Sequence, residues 1–187
     1  MERQTGLRWD PTTRQATTLV ENLAFANGVA LAEDGSYVLV AETNHLRILK
    51  HWLHGPLKGK TVVFIDKLPG LPDGVSRASN GDFWVAIISP ASPLRFKLGP
   101  YKWLRQILSH LFLAHPRLYR DFCSVFHPTS CSIGCVLRIQ PSGSIVGSMW
   151  DMDGRKVSSI TAVTEHDNKL FFGNLKGDFV SVLDLDE

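Results

Sequence analysis

Two stretches of this 187-residue chain superimpose without gaps. Laying Asn27 on Asp73 puts Gly28 on Gly74, Val29 on Val75, Gly35 on Gly81, Tyr37 on Phe83 and Val38 on Trp84, an offset of 46 residues. A third copy follows 88 residues after the second: with Thr161 on Asp73, Val163 matches Val75 and Phe171-Phe172 matches Phe83-Trp84. A period in the forties with several short strands per unit is the spacing of β-propeller blades, not of helical solenoids.

Strands fit each unit. In the first, YVLVAE (37–42), HLRILKHWL (45–53) and TVVFID (61–66) are β-branched runs separated by turn residues such as Gly55-Pro56. In the second, DFWVAII (82–88) is followed after a long interruption by CVLRIQ (135–140) and SIVGSMW (144–150). The interruption accounts for the larger second offset. The third unit holds NKLFFGN (168–174) and FVSVLDL (179–185), and residues 6–23 read as the outer hairpin of a preceding blade. The expectation over 1–187 is therefore all-β, about half of a propeller: two complete blades with partial blades at each end. Such an arc leaves strand edges unpaired, so the chain alone is expected to be unstable or self-associating. A complete sandwich of short strands is the alternative.

Between Ser89 and Ile133 the strand pattern stops, and 89–133 is read as a helical insertion within a blade. Trp103, Leu104, Ile107, Leu108, Leu111 and Phe112 recur at helical spacing, bounded by Pro100 and Pro116, with a second helix expected over 117–126. Arg95, Lys97, Lys102, Arg105, Arg117 and Arg120 face only Asp121 there. The formal charge of the whole chain is only +2, which argues against nucleic acid as a partner. A basic amphipathic helix rich in Trp, Phe and Leu either packs over the propeller as a lid or touches a membrane surface, here through residues 95–126. His110 and His115 are assigned no catalytic role.

Cys123, Cys131 and Cys135 lack zinc-like spacing and are read as packed thiols, with a disulfide as the other reading. Residues 1–11 hold no apolar signal-peptide core, and no stretch reaches the roughly 18 apolar residues of a membrane span.

LAFANGVALAEDGSYVLVAETNHLRILKHWLHGPLKG, DKLPGLPDGVSRASNGDFWVAI and ITAVTEHDNKLFFGNL closely resemble the strictosidine synthase-like family, in particular its animal branch, the adipocyte plasma membrane-associated proteins. The resemblance implies a six-bladed propeller related to calcium-dependent lactonases and paraoxonases, and a secretory-pathway or membrane-associated location. It also implies that Asn27 and Asp73 are metal ligands, since the corresponding motifs hold the metal in those relatives. An amide oxygen and a carboxylate are the hard donors that Ca²⁺ selects. Read alone, each residue is equally a turn former bonded to its own backbone. Gly74 departs from the family pattern, which often has asparagine there. Thr161 occupies the position of the synthases' catalytic glutamate, and a hydroxyl does not replace a carboxylate as acid or base at neutral pH.

The functional expectation is a calcium-dependent hydrolase of arylesterase or lactonase type acting on a small apolar ester, with the general base unidentified and strictosidine synthesis improbable. The alternative is a non-catalytic, membrane-associated binding or scaffold propeller.

Overall fold

A computed structural model describes residues 4–91, 101–115 and 133–186. Their strands form four antiparallel sheets with neighbours in sequence order. The first is a hairpin of β1 (Gln4–Asp10) and β2 (Gln15–Leu23). The second holds β3 (Ala26–Leu31), β4 (Tyr37–Glu42), β5 (Arg47–Trp52) and β6 (Thr61–Ile65). The third holds β7 (Gly70–Arg77), β8 (Phe83–Pro90), β9 (Gly134–Ile139) and β10 (Ile145–Asp151). The fourth holds β11 (Ile160–His166), β12 (Lys169–Asn174) and β13 (Ser181–Asp184). Among the described residues, one α-helix, α1 (Lys102–Ala114), lies between β8 and β9 in the chain.

Strand alternation explains why whole strands read as apolar. Tyr37, Leu39 and Ala41 of β4 pack with Phe83, Val85 and Ile87 of β8 in the core between the second and third sheets. The intervening Val40 turns the other way, onto Val20 and Leu23 of the hairpin. On β8, Trp84 and Ala86 likewise face Ile160, Val163 and Phe172 of the fourth sheet. Middle strands covered on both faces have no solvent side to mark with polar residues. Sheets stacked side by side in this way, each a four-stranded or shorter meander, are the blades of a β-propeller.

The glycine repeated in the first turn of the second and third sheets has a conformational reason. Gly35 and Gly81 both sit at positive φ, +70° and +86°, closing turns in which Gly35 N–H donates to Ala32 O and Gly81 N–H to Ala78 O. A side chain resists that region and glycine does not.

Cys135 is buried in the core between the second and third sheets as a free thiol. Cys123, Cys131 and the expected second helix at 117–126 lie outside the described residues.

Candidate functional site

Asn27, Asp73 and Thr161 fall on β3, β7 and β11, the first strand of each blade. In all three the ladder slips by one residue at the same place. Ala26 pairs with Glu42 and Val29 with Val40; Pro72 pairs with Ile87 and Val75 with Val85; Ile160 pairs with Asn174 and Ala162 with Gly173. Each slip is a β-bulge, which bends a strand locally and re-aims a side chain. Small residues, Ala41, Ala86 and Gly173, stand across from the three bulges. In two blades the residue before the strand, Phe25 (φ 64°) and Ser159 (φ 51°), is in the left-handed region. Their carbonyls accept equivalent bonds, from Thr43 N–H and Leu175 N–H, both at 3.1 Å.

The first strands run against one another. A Cβ on Gly28 would lie 2.3 Å from the Asp73 carbonyl oxygen, and one on Gly74 would lie 2.5 Å from that of Thr161. This explains the departure at Gly74: no side chain fits where the next blade's backbone passes. Hydroxyls add cross-links, Thr43 Oγ1 donating to Pro72 O at 2.7 Å and Ser76 Oγ to Val163 O at 2.6 Å. The structure thus brings the bulges of Asn27, Asp73 and Thr161 together at one end of three abutting strands.

Among the described residues, none donates a hydrogen bond to the Asp73 carboxylate. Burial pushes its pKa above the ordinary value, with no neighbouring charge to oppose the shift. Among the described residues, neither Asn27 nor Asp73 makes the local side-chain-to-backbone bond of a turn former. No group of three or more His, Cys, Asp or Glu side chains suited to a metal occurs among the described residues.

Sequence reasoning missed a second cluster at this end. Glu42, at the close of β4 and only 1% exposed, accepts from Ala24 N–H at 2.7 Å, from Arg47 Nε at 2.5 Å and from His45 Nδ1 at 2.9 Å. Burial raises the pKa of this carboxyl, but the bonds from Ala24, Arg47 and His45 outweigh it and hold the group below the usual range. His45 itself is half exposed, on a 3-10 turn (Thr43–His45) between β4 and β5. The signal was a glutamate closing an apolar strand with His and Arg within five residues of it.

Glu165 is at the opposite end of β11 and is engaged elsewhere. It accepts from Ser79 Oγ and, at 2.6 Å, from Trp84 Nε1. Burial again raises its pKa, and the Ser79 and Trp84 bonds pull it below the ordinary value. Arg138, stacked on Trp84 and bonded to Asp82 at 2.8 Å, completes this seam.

On α1, Trp103, Ile107 and Leu111 lie one helical step apart on a single face, and all three are exposed. Among the described residues, no helix is long and apolar enough to cross a membrane.

Comparison with known proteins agrees with this architecture. Among solved structures, a gluconolactonase of Xanthomonas campestris superposes with a TM-score of 0.55 at 13% identity, covering 92% of this chain and 42% of the other. The calcium-binding protein regucalcin of Agrobacterium tumefaciens gives 0.55 at 15% identity, covering 94% of this chain and 48% of the other. These likenesses show the propeller fold. In sequence, the strictosidine synthase family model matches residues 3–56. Protein strictosidine synthase-like 10 of Arabidopsis thaliana is 37% identical over 96% of this chain and 46% of its own length. Adipocyte plasma membrane-associated protein of Salmo salar is 33% identical over 96% of this chain and 42% of its own length. The chain spans less than half the length of the curated relatives it matches. With the repeat, the bulged first strands and these relatives in agreement, the chain belongs to the strictosidine synthase-like family.

Proposed function

We propose that this arc is part of a calcium-dependent hydrolase of the arylesterase or lactonase type, acting on a small apolar ester, with Asn27 and Asp73 among the metal's oxygen donors. The observation that carries the reading is the Asp73 carboxylate, partly buried at a bulge and held by no donor among the described residues. Taking a carboxylate out of water without a partner is costly, and a divalent cation removes that cost. The donor set fits in kind. It supplies two of the roughly six to eight oxygens that calcium takes, so further donors must come from other blades or from carbonyls. When bound, calcium would polarise the ester carbonyl and offset the charge that develops on its oxygen.

The remaining chemistry falls to the chain's own side chains. His45, with Nδ1 directed at the buried Glu42, has Nε2 left to take a proton from water, as a histidine oriented by a carboxylate does. We assign it the role of general base. Strictosidine synthesis lies outside this reading, because Thr161 offers no carboxylate and Glu165 is bonded into the seam between blades. The gluconolactonase and calcium-binding neighbours support the reading by fold, and the names of the animal relatives support a membrane-associated or secretory-pathway location.

A non-catalytic binding propeller is the second reading, favoured by the absence of a three-residue acidic or histidine cluster among the described residues. Calorimetric titration of the intact protein with calcium, beside a phenyl ester assay, separates the two. Calcium binding with calcium-dependent turnover supports the hydrolase; no binding and no turnover leaves the binding propeller.

A further inference from the structure

Thr43 follows Glu42 and opens the 3-10 turn that carries His45. It is 2% exposed, and its hydrogen bonds run in three directions. Its N–H donates to Phe25 O at 3.1 Å, just ahead of the strand that holds Asn27. Its Oγ1 donates to Pro72 O at 2.7 Å, immediately before Asp73. Its carbonyl accepts from Leu46 N–H at 3.3 Å, which closes the turn around His45. One residue therefore joins the backbone leading to both proposed metal donors and the turn of the proposed base.

The hydroxyl is more than the turn itself requires. In the fourth sheet the bond to the residue before the first strand is made by Leu175 N–H, donating to Ser159 O at the same 3.1 Å, and Leu175 has no side-chain donor. Any residue with a backbone N–H serves there. Nor does packing ask for a hydroxyl, because a buried one is costly unless bonded and valine has the same shape with no polar atom. The bond to Pro72 O also acts on a particular group. That carbonyl belongs to the planar peptide unit that continues into Asp73, so fixing its plane constrains the direction in which the Asp73 side chain leaves the strand.

We propose, resting on the hydrolase reading, that Thr43 is a positioning residue: its hydroxyl holds the His45 turn against the Asp73 peptide, so that the base and the metal donors keep one geometry. The neighbouring blade is thereby built into the site. A misplacement of about 1 Å at such a site costs up to about a hundredfold in rate.

Variants of the intact protein test it. Thr43→Val removes the hydroxyl and keeps the shape, and Thr43→Ser keeps the hydroxyl. Thr43→Cys leaves only a weak donor and stands in if the valine variant does not fold, which melting curves report. Ser76→Ala removes the other hydroxyl link between blades, the one to Val163 O. Thr43→Val and Thr43→Cys lower kcat for a phenyl ester at least about tenfold with KM within about threefold, and weaken calcium binding about threefold or more by calorimetry. Thr43→Ser restores kcat to within about threefold of the wild type. Ser76→Ala lowers the melting temperature and leaves kcat in place.

The His45 imidazole cross-peak, followed by NMR in chelator, needs neither calcium nor ester. Asp73→Asn moves it in the wild-type and Thr43→Ser backgrounds, and less than about half as far with Thr43→Val. If the wild type binds no calcium and turns over no ester, the hydrolase reading fails and Thr43 loses this role with it. If the wild type is active and calcium-dependent but folded Thr43→Val matches Thr43→Ser in kcat or in the cross-peak shift, only the positioning role is overturned, and Thr43 is a bond between blades as Ser76 is.

Discussion

A Cβ on Gly74 would stand 2.5 Å from the carbonyl oxygen of Thr161, the residue that begins the bulge in the next blade. Gly28 meets the Asp73 carbonyl in the same way, at 2.3 Å. Neither obstacle is a flexible side-chain tip, so a methyl group there must move the strand. Gly74→Ala is expected to destabilise the intact protein by about 3 kcal/mol, the upper range for overpacking. Ala162, the equivalent residue of the fourth sheet, is exposed, and Ala162→Gly should cost under about 1 kcal/mol, the entropy of an added glycine. Denaturant melts of the two variants give the comparison.

Under the proposed metal role, Asp73 sets stability against binding. Its pKa is raised in the folded protein by burial, so the fold holds its proton more tightly than the unfolded chain does. Stability is then lost as pH rises from the unfolded value of 3.8 through the folded value. Asp73→Asn should therefore raise the melting temperature near neutral pH in chelator, with the advantage fading below about pH 4. The same variant should weaken calcium binding and ester turnover together. Thr161→Val should change both little. A melting temperature that falls at neutral pH on Asp73→Asn would show that the carboxylate is satisfied in the fold.

Glu165 runs the opposite way. Its pKa is lowered, so its contribution is present above the ordinary value of 4.5 and is lost as pH falls through the folded value below it. Glu165→Gln should cost about 1–3 kcal/mol at neutral pH, the range for leaving a buried donor poorly met. A double-mutant cycle with Trp84→Phe should return a coupling of about 1 kcal/mol that disappears in acid.

The insertion can be excised. β8 pairs directly with β9, from Phe83 opposite Ile139 to Ile87 opposite Cys135, so the sheet does not depend on what joins them. Replacing residues 95–126 with a short polar loop should remove the helical circular-dichroism signal and keep a cooperative melt. Loss of the melt would mean that the helix is part of the core.

Cys135 should be silent to alkylation. Burial pushes its thiol up to about 12, and it is 1% exposed. With Cys123 and Cys131 replaced by serine, iodoacetamide labelling at pH 8 should proceed only at the rate of unfolding.

The blades were legible because repetition prints itself in the chain: Gly35 and Gly81 mark the same turn, and Tyr37 and Phe83 the same core position. The equivalence of Asn27, Asp73 and Thr161 was legible for the same reason. The bulges were not, since a slip in pairing has no residue type of its own. Nor was the bond between His45 and Glu42, which depends on how a 3-10 turn folds back over a strand end. The periodicity of α1 showed that Trp103, Ile107 and Leu111 share a face, but periodicity cannot say whether protein or solvent lies opposite.

The bulges have a consequence for how such a protein can change. A residue in ordinary register is bound to its partners: altering it disturbs a core on one side or a neighbour across the ladder. The slip at Asn27, Asp73 and Thr161 exempts one residue per blade from that pairing, opposite Ala41, Ala86 or Gly173 on the next strand. Each blade therefore offers one interchangeable tooth on an otherwise fixed wheel. Amide, carboxylate and hydroxyl already occupy the three teeth here, so this position can be rewritten one letter at a time while the packing between blades stays as it is.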